Sequence, residues 1–529
     1  MPGFSPDVFY YPLLCVAFLF ATFTVFFRRN PTAEPPTEPG EEELVPRGEP
    51  NESGDAAPEP APSLWAAHYD RIVPLLIATV FYLLCIWRLS DPLKTVFDEV
   101  HHTRTAMEFV LGQNPHEWTH PPLSKLIQAL SMYLAHVRFD PADGVWNPDQ
   151  SYSPVATTAW RLPSVIFGTL ALLGQYALAR ALFKNREIAT LSMLFLSLDG
   201  VFFVQSRIAM TNIFTVCFII WAAWAAWRWV EEQKARHIFT LGICAGLAVA
   251  TRWSSLYAYF FLILFVLADG IAHWHRLRYS PAFFARRAAL FIGALLVVPT
   301  VLYLASYIPF VLQGAGTWQQ KLFDPQWNAH GWAKVISQQG DMYHYHSEIS
   351  AVHNYNSPAW SWPLMLRPVW YFYEAGRSNG VDTVRAIWCI GNAFLWWAIV
   401  PALSVCSYLA VRFKRANLGL IPLLGLGQWF CWLAKARGLN FMHYLFEAVP
   451  FVCIALAYLL VTLWYARDKG ADTRHENAAG DLSGTWRMIV LCYLTTILFW
   501  FLYYYPMLTA YPIRSDYSSP HFWLGRIWI

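Results

Sequence analysis

The chain has 529 residues, of which 38 are Lys or Arg and 35 are Asp or Glu; 14% are charged and 56% hydrophobic. A soluble protein of this size carries about a quarter charged residues, so this one lacks the polar groups to coat a water-facing surface. A formal charge of +3 with no dense basic block argues against a nucleic-acid binder. The composition is that of a polytopic membrane protein.

A membrane-crossing helix takes about 20 mostly apolar residues. The first such run, Val8 to Phe27, is closed by Arg28 and Arg29, and residues 1–29 are read as an extra N-terminal span. No Lys or Arg precedes the run, which argues against a cleaved signal peptide. Residues 30–66 are dominated by Pro and Glu and read as a disordered linker. Residues 67–529 form the working membrane domain, with eleven spans expected near 72–89, 160–182, 187–206, 208–229, 238–252, 253–270, 288–310, 385–411, 417–435, 443–465 and 487–505. All nine cysteines, Cys15 to Cys492, lie in apolar stretches without a CxxC pair and read as small buried side chains.

Orientation follows from the basic residues of the short loops. Arg28, Lys184 with Arg186, Lys234 with Arg236, Arg276 with Arg287, Arg412 with Lys414, and Arg467 with Lys469 belong on the cytoplasmic side. Two large loops, 90–159 and 311–384, then share the opposite side with the C-terminal tail. Segments 100–113 and 122–137 in the first loop read as amphipathic helices lying along the membrane surface. The second loop is crowded with Trp and Tyr, which suits contact with lipid headgroups.

Chemistry is sought in these loops. VFDEVHH places Asp98 and Glu99 just after the first core span, where paired carboxylates are costly to desolvate unless used or paired. Neighbouring side chains diverge by about 100° on a helix, so the two cannot serve one atom. One is expected to act as a base while the other orients it or holds an acceptor; the alternative is a solvated helix N-terminus. HEWTH, His116 to His120, matches a zinc-protease pattern, but Pro115, Pro121 and Pro122 bar the helix that would bring both histidines to one face. No metal is assigned. Arg88, Arg207 and Arg252 stand at the same membrane boundary as Asp98, against the positive-inside trend, which favours a phosphate-binding role. His120, His346, His353 and Arg367 are further substrate-contact candidates in the loops.

In chain order, VFDEVHH, HPPLSKLI, WRLPSVIFG, QSRIAM, ATRWSSLY, SWPLMLRPVWYF, GNAFLWW and FMHYLFEAVPF resemble the protein O-mannosyltransferase family over about residues 72–529. The resemblance implies an all-α polytopic GT-C glycosyltransferase with about eleven core membrane helices plus one N-terminal span. It implies inverting transfer of mannose from polyprenyl (dolichyl) phosphate mannose to Ser or Thr hydroxyls of exported proteins. The family's acidic pair falls on Asp98 and Glu99, the aspartate as base, and its functional arginines fall on Arg88 and Arg207 as donor-phosphate contacts. The second large loop leaves no room for the MIR domain of eukaryotic members, so the chain resembles bacterial ones. Asn212 stands where the family usually has Asp, and Arg252 where it usually has Lys.

The expected partners are the lipid-linked sugar, Ser/Thr-containing exported polypeptides, membrane lipid and the secretion translocon. No cofactor is assigned, and a divalent-metal requirement is not legible. The expected location is the bacterial plasma membrane with the site on the non-cytoplasmic side; the alternative is the endoplasmic reticulum. Competing readings are a GT-C enzyme with another polyprenyl-phosphate sugar or a lipid acceptor, a transporter, and a non-catalytic membrane chaperone or assembly subunit.

Overall fold

The computed structural model describes residues 64–137, 150–277, 281–312, 321, 324–434, 437–466, 482–518 and 521. The expected N-terminal span and nearly all of the linker lie outside them. Helix α1 (Leu64–Ile86) enters the first large loop, which holds α2 (Glu99–Val110) and α3 (Leu123–Leu134), the two amphipathic segments expected there. Next come α4 (Pro154–Phe183), α5 (Arg186–Ser197), α6 (Gly200–Gln205), α7 (Asn212–Glu232), α8 (Ala235–Val249) and α9 (Ser255–Leu277). Helix α10 (Pro281–Ile292) passes through a π-helical turn, Gly293–Val297, into α11 (Val298–Ser306) and the short α12 (Ile308–Val311).

The second large loop carries α13 (Pro325–Glu348) and a hairpin of β1 (Val369–Ser378) and β2 (Val381–Cys389). The chain continues through α14 (Ala393–Trp396), α15 (Ile399–Arg412) and α16 (Ala416–Ala434). A 3-10 segment, Met442–Ala448, then leads into α17 (Val449–Trp464), which is followed by α18 (Leu482–Leu508). Strand β3 (Ile513–Arg514) joins β2, and α19 (Ser515–Ser518) follows it.

Among the described residues, eight helical stretches are long and apolar enough to cross a membrane, and α8 and α9 are shorter apolar helices. The protein is a multi-pass membrane protein. In the stretch Met442–Trp464, 83% of the apolar window is buried inside the protein, against 11% in Ala285–Ser306. The first therefore lies at the centre of the helix bundle and the second faces outward.

The run 187–206, read as one span, is broken between α5 and α6. Asp199 caps α6 by accepting from Phe202 N (2.9 Å), and its other oxygen accepts from Asn392 N (3.0 Å) and Trp396 Nε1 (2.8 Å). A buried carboxylate with three donors outcompetes a continued helix at this point. Gly200 completes the break, since a Cβ there would lie 2.2 Å from the Ile390 carbonyl oxygen.

The run 385–411, also read as one span, begins as strand and turns helical only from Ala393. Its first residues pair with β1 in a register that runs from Val369↔Cys389 to Ser378↔Val381. Asn379 and Gly380, both at positive φ (50° and 79°), make the two-residue turn that joins right-twisted strands. The helical fold thus carries a small sheet that the all-α expectation did not include.

Replacing Gly200 with Ala should force α6 away from the α14 approach. Overpacking of this kind costs about 1–3 kcal/mol, so the variant should melt lower in detergent; an unchanged melting temperature would contradict the close approach.

Candidate active site

The chain between α1 and α2 holds few regular hydrogen bonds of its own, and two buried arginines from neighbouring helices hold it instead. Arg207, in the connection from α6 to α7, donates through Nη1 to the carbonyls of Leu84 (2.9 Å), Cys85 (2.7 Å) and Trp87 (2.9 Å). These are among the carbonyls that a helix C-terminus leaves open, and a cation complements the negative end of the helix dipole. Arg207 thus acts as the C-terminal cap of α1, which is a different task from the phosphate contact expected of it. Arg88 also turns elsewhere: it pairs with Asp91 and lies 5.1 Å over the Tyr511 ring. Asp91 in turn pairs with Arg385 of β2, which latches the loop to the hairpin.

Arg161, in α4, carries the decisive arrangement. Its Nε and Nη2 donate to the two oxygens of Glu99 (2.9 Å each), and its remaining donors reach the carbonyls of Leu89 (3.1 Å), Pro92 (3.0 Å) and Lys94 (2.7 Å). A guanidinium has five N–H groups, and all five are used. Glu99 also accepts from Val96 N (3.0 Å) and Ala209 N (2.8 Å). Both side chains are almost wholly buried. Glu99 has no lone pair directed at an open space: it is a strut.

Asp98 is the opposite case. Phe97 just before it has φ of +49°, a left-handed conformation costly for a bulky residue. Its ring is held by Tyr371 of β1 (stacked, 4.5 Å) and meets Phe441, His443 and His353 edge-on. Together with the Glu99 anchor, this directs the half-buried Asp98 side chain away from the network behind it. Asp98 begins α2 without capping it through its side chain, and its carboxylate has no hydrogen-bond partner among the described residues. Burial pushes its pKa up to about 6, with Arg252 opposing and Glu117 adding to the rise.

Arg252, just beyond α8, donates to Asn212 Oδ1 and sits 5.0 Å over the Tyr444 ring. The HEWTH segment is irregular, as its prolines require. Burial favours the neutral acid at Glu117, but Lys125 and His120 outweigh it and hold the carboxyl well below its usual range. Lys125 also donates to the carbonyl of His120 (2.8 Å). His346 of α13 donates to the Thr119 carbonyl (2.6 Å), with its ring 5.1 Å from His120, which ties the second large loop to the first. His353 packs against Phe97 and Phe441. Arg367 donates to the Asn354 carbonyl (2.6 Å) on the exposed surface and is not brought to Asp98 by any contact.

The structure therefore gathers Asp98, Arg252, His120 and His346 in one region, with Glu99 and Arg207 behind it as supports. Four participants were not singled out from sequence. Arg161 lay within WRLPSVIFG as an arginine opening an apolar run, and such a charge needs a buried partner. Lys125 and Glu117 sit eight residues apart across two prolines, a spacing with no periodic signal. Tyr444 was one aromatic among many.

The structure superposes on the S. cerevisiae protein O-mannosyltransferase Pmt1-Pmt2 complex bound to the sugar donor with TM-score 0.68 and 14% identity, covering 86% of this chain and 92% of that one. The apo oligosaccharyltransferase of Archaeoglobus fulgidus follows more distantly, with TM-score 0.51, 13% identity and coverage of 88% and 59%.

Residues 75–311 match the family described as dolichyl-phosphate-mannose-protein mannosyltransferase, and residues 331–527 match the C-terminal four-transmembrane region of protein-O-mannosyltransferase. The chain belongs to the protein O-mannosyltransferase family. It is 26% identical over 480 residues to the polyprenol-phosphate-mannose–protein mannosyltransferase of Corynebacterium glutamicum, covering 80% of this chain and 86% of that protein. It is 23% identical over 500 residues to the Mycobacterium tuberculosis protein of the same name, covering 85% and 90%.

Glu99→Gln should be destabilising, because it leaves Arg161 buried without its counter-charge and turns an amide N–H toward other donors. Breaking a buried pair on one side costs about 3–5 kcal/mol. Asp98→Asn removes a desolvated carboxylate that has no partner and should melt no lower than the parent. Equal melting of parent and Glu99→Gln in detergent would refute the strut.

Proposed function

We propose that this protein transfers mannose from polyprenyl phosphate mannose to Ser or Thr hydroxyls of exported proteins, with inversion at the anomeric carbon, and that Asp98 is the general base. The observation that carries the assignment is the contrast within one dipeptide: Glu99 is saturated by Arg161 and backbone donors, whereas Asp98 is desolvated and unpartnered. A base needs an open lone pair and a pKa not far below the working pH.

In the step proposed, the acceptor hydroxyl oxygen forms the new bond to the anomeric carbon while its proton passes to Asp98. The bond from that carbon to the phosphate oxygen breaks on the opposite face, and its electron pair stays with the polyprenyl phosphate. Arg252 faces Asp98 across the site and stabilises the charge that builds on the phosphate; interactions of this kind are each worth about 10²–10³ in rate. Phosphate leaves without needing a proton, so no general acid is required.

The orientation supports an outward-facing site. Helix α4 starts beside the Asp98 loop, where Tyr152 N donates to the Leu93 carbonyl (2.7 Å), and ends at the basic residues Lys184 and Arg186 after 30 residues. At about 1.5 Å per residue that is a full membrane crossing. Basic short loops at the far end support a location of Asp98 on the non-cytoplasmic face of, in this reading, the bacterial plasma membrane. Acceptors would then meet the enzyme as chains emerging from the secretion translocon, with membrane lipid around the donor tail.

The test uses purified protein, radiolabelled polyprenyl phosphate mannose and a Ser/Thr-rich peptide. The parent should label the peptide, and Asp98→Asn should lose about 10²–10⁴ in kcat while donor affinity is kept. Near-parental transfer by Asp98→Asn would exclude it as the base. The pH dependence follows from the same group. The active form is the carboxylate, so transfer should fall as pH drops through about 6 and level off above it; a parental profile with its acid limb near pH 4, the ordinary carboxyl range, would contradict the desolvated site.

A further inference from the structure

We infer that Arg437 is a second phosphate-binding residue, forming with Arg252 a two-guanidinium seat for the phosphate of the lipid carrier; this rests on the transferase reading above. Arg437 lies in the connection that follows α16. Its Nε is buried and has no acceptor among the described residues. Its guanidinium lies 5.6 Å from the centre of the Tyr444 ring, and that of Arg252 lies 5.0 Å from the same centre. Trp432 is stacked on Tyr444 at 5.0 Å, so one ring is shared by an indole and two cations.

Neither arginine forms an ion pair with a carboxylate among the described residues. The nearby acids do not bond to either arginine: Glu447 accepts from Ser254, and both Glu447 and Asp98 act on Arg252 only through their fields. Two neighbouring guanidiniums without a counter-ion repel each other and lose solvation, and an anion placed between them reverses both costs. The electrostatic neighbourhood is shared with the base, since the Tyr345 hydroxyl lies in the field of both Arg437 and Asp98, and His346 lies in that of both Arg437 and Arg252.

The chemistry of the ligand follows from the walls. A cavity of about 360 Å³ opens beside Arg437 and is lined by Asn356, Ser357, Trp360, Trp432, Leu433 and Gly438. Trp360 is 58% exposed at its mouth. The walls set the Asn356, Ser357 and Asn440 polar groups beside Arg437 together with the Trp360, Trp432 and Leu433 side chains, which suits a group that is anionic at one end and apolar at the other, as a polyprenyl phosphate is. The reaction gives the second cation a role of its own. The donor is a phosphodiester with one negative charge, whereas the product is a phosphomonoester carrying close to two at neutral pH. A seat with two cations therefore favours the leaving phosphate over the donor, which is what accelerates departure.

The experiment compares the parent, Arg437→Gln and Arg437→Lys in detergent, with undecaprenyl phosphate as the probe and undecaprenol and inorganic phosphate as controls. Undecaprenyl phosphate should inhibit transfer and raise the melting temperature of the parent, while undecaprenol and inorganic phosphate at equal concentration should do neither. Arg437→Gln should weaken that inhibition by about tenfold or more, the scale of one lost charge-assisted hydrogen bond. It should also lower kcat, leave the KM for the acceptor peptide unchanged and melt like the parent without lipid. Arg437→Lys, which keeps the charge without the fork, should fall between them, and it decides the matter alone should the Gln variant fail to fold.

Parental inhibition and turnover in the variants would overturn the inference, as would a change confined to the peptide KM, which would make the cavity an acceptor site. A parent that neither transfers mannose nor responds to undecaprenyl phosphate would instead overturn the transferase reading itself.

Discussion

The buried pairing of Glu99 with Arg161 is the constraint on which the rest of the site depends. One guanidinium on the long helix α4 gathers the carbonyls of Leu89, Pro92 and Lys94 and both oxygens of Glu99. An irregular ten-residue segment is thereby fixed at the membrane boundary without regular secondary structure. Buried ion pairs contribute little net stability but penalise every alternative arrangement that would leave one partner bare. Here that specificity fixes the segment in place, and with the strained turn at Phe97 it presents Asp98 to the outside of the network. Two adjacent carboxylates thus divide into a matched support and an unpartnered group, the one we propose as the base.

The same logic distributes the arginines. Arg207 is consumed by helix carbonyls, Arg161 by Glu99 and Arg88 by Asp91. Arg252 has one structural hydrogen-bond partner, the neutral side-chain amide of Asn212, and it alone of these arginines acts on Asp98 through its field. An aspartate at position 212, as the family usually has, would have supplied an anion at that point.

Much of this was legible in the residues themselves. Hydropathy gave the membrane class and most spans, the prolines around HEWTH ruled out a helix there, and the order of eight motifs gave the family. What was missed has physical causes. Span counting by hydropathy cannot see that Asp199 caps a new helix, because one buried acid with three donors barely alters a 20-residue average. It likewise ran β2 into α14 and α15, since a strand of Ala, Ile, Trp and Cys is as apolar as a helix. The dipeptide Asn379-Gly380 between two β-rich runs was a hairpin signal present in the sequence and passed over. The roles of Glu99, Arg207 and Arg161 were not legible at all. Whether a charged side chain is matched or bare depends on contacts between residues 62 to 123 positions apart, and no local pattern records them.

The central claim concerns which carboxylate faces the sugar. A structure of the purified protein with a non-hydrolysable polyprenyl phosphate mannose analogue measures this directly. The Asp98 carboxylate should lie on the face of the anomeric carbon opposite the phosphate, with the phosphate against Arg252 and Glu99 still clasped by Arg161. A sugar held by Glu99, or a phosphate seated on Arg88 and Arg207 with Asp98 turned aside, would contradict it.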